Sequence, residues 1–249
     1  MAASGRGTTA RADGRHPVIF VTGMAFEARI AAGEGADRDG VETVFAARRA
    51  LLEPALRALA ARGCAGIVSF GTAGGLAPDL LPGALIVADA VEGPAGRVPT
   101  DPAWTERIAN ACSSFPALKP KLRRGAIAAV AVPLTGADDK AALHRATGAL
   151  AVDMESHLAA TVAAELGVPF AVCRAIVDPA WRSLPSAATA GLQDDGRTAI
   201  LPILRELLRQ PSQIVPLIQL AGDARSANQT LLAARRALGR AGALRFSPA

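Results

Sequence analysis

Short apolar runs of strand length alternate along this chain with segments of helical pattern. The apolar runs are rich in β-branched residues and are separated by Gly, Pro or polar residues, as strands are; they lie within 16–24, 41–46, 65–91, 125–134, 148–154 and 168–178. Helical segments lie at 25–33, 53–63, 99–112 and 136–147. Strands that alternate with helices and are apolar on both faces indicate a mixed, largely parallel sheet covered by helices. The sequence therefore predicts an α/β fold.

Local patterns make three of the helical predictions more specific. After residue 155, Leu158, Val162 and Leu166 recur every four residues, which predicts the buried face of a helix. Pro54 is expected in the first turn of the helix at 53–63, where a proline is tolerated. Beyond residue 198, an apolar segment is expected to form two or three helices, interrupted by Pro211, Pro216 and Gly222.

The length and composition indicate one main domain. A chain of 249 residues that is 51% hydrophobic can bury one sizeable core. We expect a disordered leader at 1–16, because it contains three arginines and no apolar segment typical of a signal peptide. The main domain is expected at 17–198, and a basic, apolar helical extension at 199–249. No run reaches 18 apolar residues, so we expect no spanning helix and a cytoplasmic location.

Composition and charge argue against several classes of function. The net charge of +5 is uneven, because the extension from residue 199 carries seven arginines against two acidic residues, whereas the main domain is slightly acidic. The chain has no Tyr and only 4% aromatic residues, so it lacks the stacking surface of RNA and single-strand binders. The three cysteines and three histidines show neither disulfide nor metal-site spacing. We therefore expect no nucleic-acid partner and no metal.

Acidic and glycine residues follow several of the predicted strands. Glu27 comes shortly after Gly23 and Met24, a glycine-rich turn is predicted at 71–75, and Glu155 and Asp178 lie at or just beyond later strands. Ligands of such sheets bind at the carboxyl ends of the strands. Glycine turns there also let backbone N–H groups approach an anion or a sugar oxygen. This pattern predicts a ligand site at one edge of the sheet.

Each of these features also has a purely structural interpretation. The glycines can form a tight turn and nothing more. Glu155 can be a first-turn acid beside the positive end of a helix dipole, with Asp153 as the N-cap. Asp178, which precedes Pro179, can be a turn residue. Taken one at a time, these residues do not decide between the two interpretations.

Three segments in order resemble the purine and uridine phosphorylase superfamily, especially the methylthioadenosine and S-adenosylhomocysteine nucleosidases. They are "GMAFEA" at 23–28, "GTAGGLAPDLLPGALIVAD" at 71–89 and "VDMESHLAATVAAELGVPFAVCRAIVD" at 152–178. The resemblance covers about residues 17 to 195. It implies a three-layer α/β/α sandwich that forms a homodimer or larger homo-oligomer. It also implies an enzyme that cleaves the N-ribosidic bond of a nucleoside with water or phosphate and uses no metal or organic cofactor.

The resemblance also implies roles for individual residues. Cleavage at a sugar carbon passes through an oxocarbenium-like transition state, so the base needs a proton and the ribose needs fixed hydrogen bonds. Asp178 would protonate or hydrogen-bond the imidazole-ring nitrogen of the purine, and Glu27 would activate water near Thr72. Glu155 would accept hydrogen bonds from the ribose hydroxyls. The substrate-binding residues implied are Gly23, Met24, Thr72, Ala73, Gly74, Met154 and Glu155.

Two departures from that family concern the contacts to the base and the molecule, water or phosphate, that accepts the sugar. The aromatic residue that the nucleosidases place under the base is missing from 133–141, and their histidine and aromatic residues are missing from 91–100. Phosphorylases present arginines where this chain has Glu27 and Ser69, and a carboxylate repels a phosphate dianion. We therefore predict water as the acceptor, with Arg29 as the candidate contact if phosphate is used instead.

A finer resemblance concerns the substrate. The segment "TGADDKAALHRATGALAVDMESH" at 135–157, together with the basic extension, is similar to the hopanoid-associated phosphorylases, which are linked to removal of adenine from adenosylhopane. This implies a nucleoside with a large apolar 5′ group and peripheral membrane contact through the extension. The alternatives are a methylthioadenosine/S-adenosylhomocysteine nucleosidase, another purine nucleoside phosphorylase, and a nucleoside-binding sensor without turnover.

Overall fold

The computed structural model describes residues 16–35, 40–94 and 96–246. The predicted leader, apart from His16, lies outside these residues. The strands are β1 Val18–Thr22, β2 Val41–Phe45, β3 Gly66–Gly75, β4 Leu85–Gly93, β5 Gly96–Pro99, β6 Leu122–Ala129, β7 Ala151–Asp153 and β8 Phe170–Asp178. The helices are α1 Ala25–Ala32, α2 Arg49–Ala60, α3 Pro102–Ser113, α4 Ala137–Thr147, α5 Ser156–Leu166, α6 Ser186–Ala190, α7 Ile200–Arg209 and α8 Ile214–Arg240.

The strands of the described residues form one mixed sheet. Its order is β2-β1-β3-β7-β6-β4-β5, and β8 pairs with both β3 and β4. The pairs β1–β2, β1–β3, β3–β8, β4–β6 and β6–β7 are parallel, whereas β3–β7, β4–β8 and β4–β5 are antiparallel. β3 is linked to β4 in two ways: through β8 on one side, and through β7 and β6 on the other. These five strands therefore close into a ring. The prediction of a mixed, largely parallel sheet is confirmed.

Helices cover both faces of this sheet. Alternate residues of β1 point to opposite faces: Ile19 and Val21 pack with residues of α2 and α5, whereas Val18 and Phe20 pack with residues of α3 and α8. The core therefore consists of two apolar layers with the sheet between them, which confirms the three-layer sandwich.

The glycine-rich segment is a strand, and its prediction as a turn is wrong. β3 continues through Gly75, because Gly74 and Gly75 pair with β7 while residues 67–74 pair with β8 along the other edge. A shift of register between Ala73 and Gly74 marks a bulge at this point. The glycines therefore serve an extended strand that is hydrogen-bonded on both sides.

Several helix predictions also need correction. α2 begins at Arg49, so Pro54 lies inside the helix and not in its first turn. α8 runs through both Pro216 and Gly222. Pro216 lies in the first turn, where a backbone N–H has no partner to lose, and an interior glycine costs only about 1 kcal/mol. Leu166 is 47% exposed at the end of α5, although Leu158 and Val162 are buried as predicted.

The C-terminal helices divide into an exposed and a buried part. No residue of α7 is buried, whereas the second half of α8 is part of the core through Ala227, Leu231, Ala234 and Leu238. None of the helices in the described part of the chain is both long and apolar enough to cross a bilayer. The extension is thus helical, and its last helix completes the layer that contains α3.

Candidate active site

A cavity of about 290 Å³ lies where β1, β3, β7 and β8 end. Its polar lining is made mainly of carboxylates and Thr side chains, and the rest is apolar. The lining includes all but one of the residues predicted to act on a nucleoside: Gly23, Met24, Glu27, Thr72, Ala73, Gly74, Met154, Glu155 and Asp178. Arg29, the candidate phosphate contact, is exposed on α1 and is not among the lining residues. The fold thus brings together residues that are up to 155 positions apart.

Glu27 is held at the start of α1 by four hydrogen bonds. One carboxylate oxygen accepts from the backbone N–H groups of Gly23 (3.1 Å) and Met24 (3.0 Å). The other accepts from the backbone N–H and the hydroxyl of Thr72, each at 2.7 Å. A carboxylate has about four acceptor positions, and all are in use here. Glu27 therefore joins the first strand–helix turn to β3 and is fixed at the cavity wall.

Arg174 forms the centre of a buried charge cluster that the sequence analysis did not identify. It lies in β8, is 0% exposed, and its guanidinium contacts Asp153 at 2.8 Å and Glu155 at 3.0 Å. The same group donates to the hydroxyl of Ser69 at 2.6 Å. Buried charges need such partners, because the interior of a protein solvates them poorly. One guanidinium thus fixes the carboxylates at the end of β7 and just beyond it.

Glu155 occupies an environment that favours its protonated form. Burial raises the pKa of Glu155 to about 7, and although Arg174 opposes this rise, the nearby carboxylates of Asp153 and Glu27 add to it. The structural interpretation named Asp153 as the N-cap of α5, but the N-cap is Glu155, whose side chain makes no capping hydrogen bond and faces Arg174 and the cavity. Asp153 accepts from the backbone N–H of Ser156, the first residue of α5, at 3.2 Å.

Asp178 is paired with a buried lysine. The Lys140 ammonium donates to the Asp178 carboxylate, and both side chains are almost fully buried, with Lys140 at 0% and Asp178 at 5% exposed. Burial raises the pKa of Asp178, while the Lys140 charge opposes that rise. Asp178 is thus an ion-paired residue at the cavity wall and not only a turn residue.

Two glycines are required by the close approach of these carboxylates. A Cβ on Gly23 would collide with the Glu155 carboxylate. A Cβ on Gly71, whose φ is +149°, would lie 2.6 Å from Glu27 and 2.8 Å from the Arg174 guanidinium. Glycine at these positions therefore leaves room for the charged groups, which explains part of the glycine pattern in the sequence.

Arg174 and Lys140 were not identified as site residues from the sequence. The sequence pattern contains a signal for Arg174 but none for Lys140. Arg174 interrupts the apolar run "PFAVCRAIVD", and a charge in a strand buried on both faces needs a partner. Lys140 lies in the polar segment "GADDKAALHRAT", where a lysine is normally solvated. Only the packing of α4 against the residues after β8 reveals its burial.

Comparison with known proteins agrees with this architecture. The model of the phosphorylase superfamily matches residues 2–201, which is most of the chain. A search of curated proteins gave no significant match.

Solved structures with the same fold are distant in sequence. The methylthioadenosine/S-adenosylhomocysteine nucleosidase of Neisseria meningitidis, in complex with methylthio-immucillin-A, is 16% identical with a TM-score of 0.62. The corresponding enzyme of Helicobacter pylori, with butyl-thio-DADMe-immucillin-A, is 17% identical with a TM-score of 0.61. The futalosine hydrolase of Helicobacter pylori is 16% identical with a TM-score of 0.62. Each comparison covers 88% of this chain and 97% of the other.

The match of the family model and the shared fold agree with the resemblance noted in the sequence. The prediction of a nucleosidase or nucleoside phosphorylase is confirmed at the level of the family. On this evidence, the chain belongs to the phosphorylase superfamily.

Proposed function

We propose that this protein hydrolyses the N-ribosidic bond of an adenosine derivative with a large apolar 5′ group and releases adenine. The observation that carries the proposal is the convergence of Glu27, Glu155 and Asp178 on one cavity whose remaining lining is largely apolar. The nucleosidases of the same fold, whose ligands include methylthio and butylthio compounds, support an adenosine-type substrate. Adenosylhopane is the substrate that the sequence resemblance at 135–157 favours.

The three carboxyl groups suit the three needs of the reaction. Asp178 would give a proton to the departing adenine, and Glu155 would accept hydrogen bonds from the ribose hydroxyls as positive charge develops on the sugar. Glu27 would take a proton from water, and it would do so by exchanging one of its Thr72 hydrogen bonds for the water. The proposal needs no metal or organic cofactor.

The charges around the cavity support water as the acceptor. Glu27 and Asp153 both line the cavity, and their carboxylates would repel a phosphate dianion. The buried cations Arg174 and Lys140 are already paired with acidic side chains. Arg29 is exposed outside the lining. No unpaired cation among the described lining residues is therefore available to hold phosphate.

We expect adenine release from 5′-alkylthioadenosines at the same rate with and without inorganic phosphate. Because burial of a methylene contributes about 0.8 kcal/mol, kcat/KM should rise about fourfold with each added methylene until the apolar lining is covered. Chromatography would measure adenine, and mass spectrometry would identify the sugar product as a free ribose derivative.

The same assay separates the alternatives. A requirement for phosphate, with a ribose 1-phosphate product, would show a phosphorylase. A preference for methylthioadenosine over longer alkyl chains would favour an ordinary methylthioadenosine/S-adenosylhomocysteine nucleosidase. Tight binding of all the analogues without release of adenine would indicate a nucleoside sensor.

An exposed apolar surface supports contact with a lipid membrane. Seven side chains of α7 and the start of α8 form this surface, and they are 46–85% exposed: Ile200, Leu201, Leu204, Leu208, Ile214, Val215 and Ile218. The exposed Arg205 and Arg209 lie on α7 beside these residues and would complement anionic lipid headgroups. The segment 184–220 also supplies Leu184, Leu192 and Leu220 to the cavity lining. A membrane at this surface would thus lie next to the apolar part of the site.

Replacing two leucines of this surface should strongly weaken lipid binding. For Leu201→Glu/Leu208→Glu, we expect binding to vesicles with anionic lipid to weaken roughly a hundredfold, because two apolar side chains lose their burial. Flotation with vesicles would measure the change, and Leu81→Glu, at a leucine that is 65% exposed elsewhere, is the matched control. Unchanged vesicle binding would contradict the proposal. So would a parent protein that binds no vesicles and forms a dimer that Leu201→Glu/Leu208→Glu dissociates.

A further inference from the structure

The ammonium group of Lys140 donates hydrogen bonds to three oxygen atoms near Asp178, at the end of the site where the leaving group would lie. Its ammonium donates to the Asp178 carboxylate, to the carbonyl of Arg182 at 2.8 Å and to the carbonyl of Pro179 at 3.2 Å. Lysine is almost never fully buried unless it is paired. α4 therefore places this ammonium against the end of β8 and the residues that follow it.

The three acceptors identify the protonated form of Lys140. An ammonium has three donors and no acceptor, whereas a neutral amine has only two N–H groups and a lone pair that would face an oxygen. The arrangement therefore uses every donor of the charged form and disfavours the neutral one. Lys140 is not among the residues that line the cavity, whereas Asp178 is. Lys140 therefore makes no direct contact with the cavity, and its contact with the site is through Asp178.

We propose that Lys140 is a positioning residue of the leaving-group site, which orients the Asp178 carboxyl and sets its strength as an acid. This inference rests on the proposed function. When the bond between C1′ and N9 breaks, its electron pair stays on adenine, and the Asp178 proton moves to N7. Asp178 is left as an anion beside the Lys140 ammonium, which stabilises it. Water adds to C1′ and gives a proton to Glu27. Exchange with solvent then removes that proton from Glu27 and returns one to Asp178.

The charged groups around Asp178 explain why the lysine matters. Burial alone would make the carboxyl hold its proton too tightly for an efficient acid. Two cations act against this effect, Lys140 from α4 and Arg182 from the segment after β8. Arg182 is itself paired with Asp223 of α8, so the direct contact of Lys140 is the main opposing charge. Removing Lys140 should therefore raise the pKa of Asp178.

The test is the pH dependence of kcat for Lys140→Met, which is similar in size and uncharged. A general acid is active only while protonated, so activity falls as the pH rises through its pKa. Loss of the ammonium should move this falling limb up by about 1 to 3 pH units. Since acid catalysis follows Brønsted behaviour, the same change should lower kcat on the plateau by roughly threefold to thirtyfold.

Controls separate this role from a merely structural one. Lys121→Met removes a lysine that donates to Thr230 at 3.3 Å, and its pH profile should match that of the parent. In the background of Asp178→Asn, Lys140→Met should cause little further loss of kcat. If Lys140→Met does not fold, Lys140→Gln keeps two donors without the charge and should show the same shift. A lower melting temperature with an unmoved pH profile would overturn the proposal.

A second measurement does not depend on turnover. Carboxyl-carbon NMR of protein labelled at aspartate should show Asp178 titrating at higher pH in Lys140→Met than in the parent. If the parent releases no adenine from any nucleoside, the proposed function fails, whereas the NMR shift still reports on the pair. If Asp178 titrates at the same pH in both proteins, the inference about Lys140 fails even when the parent is active.

Discussion

Asp178→Asn is expected to lower kcat for adenine release by about a hundred- to ten-thousand-fold, the usual contribution of a positioned proton donor. The amide keeps the shape of the side chain and can still accept a hydrogen bond from Lys140, but it has no proton to give to the base. The protein should therefore stay folded and bind nucleoside. Single-turnover adenine release would measure the rate, and calorimetry with a non-cleavable analogue would measure binding.

A paired carboxylate outside the cavity provides the control for this substitution. Asp89 of β4 contacts the guanidinium of Arg124 on β6, and its side chain is 43% exposed, so Asp89→Asn should keep close to the parent rate. If Asp178→Asn also released adenine at close to the parent rate, the assignment of the end of β8 as the proton donor would have to be withdrawn.

Arg174→Met should destabilise the protein by about 3 to 5 kcal/mol, because breaking a buried ion pair leaves uncompensated charges. The substitution removes the guanidinium that lies 2.8 Å from Asp153 and 3.0 Å from Glu155. Arg124→Met is the matched control. Arg124 also contacts two carboxylates, but it lies at the surface with 34% of its side chain exposed, so its replacement should cost no more than about 1 kcal/mol.

The destabilisation caused by Arg174→Met should also depend on pH. Removing the cation raises the pKa of the buried Glu155 carboxyl in the folded state further above its unfolded value. Such groups favour the fold below their unfolded pKa, and this contribution disappears as the pH rises through the folded pKa. Urea unfolding should therefore show a larger destabilisation at about pH 8 than at about pH 5. An equal effect at both pH values would contradict the cluster described around Arg174.

The fold could be predicted from the sequence because it follows from local patterns, whereas the roles predicted for the site residues depend on the family resemblance. Apolar runs and breaks located nearly all strands, and acids at the strand ends located Glu27, Glu155 and Asp178. The turn predicted at 71–75 was wrong because pairing with β7 and β8 satisfies that backbone on both edges, and sequence patterns do not contain pairing partners. Gly222 did not end α8 because tertiary packing of the second half supports the helix.

The cations of the site could not be assigned in the same way. A carboxylate at a strand end is positioned by its own strand, whereas the partner of that carboxylate comes from whatever element packs beside it. Lys140 reaches Asp178 from a helix 38 positions earlier in the chain. Its role therefore depends on a contact of the folded state, and the hydropathy of its own segment indicates a solvated residue instead.

The position of α8 also has a consequence for how the protein is made. Leu231 and Leu238 belong to the same apolar layer as Val18 and Phe20, so residues near both ends of the described chain share one core. During translation, strands from the first part of the chain leave the ribosome long before α8 has been synthesised. The nascent chain therefore exposes this face of its sheet until α8 has emerged. We expect protease-resistant structure to form only after α8 has left the ribosome, and the face awaiting α8 to be where chaperones bind.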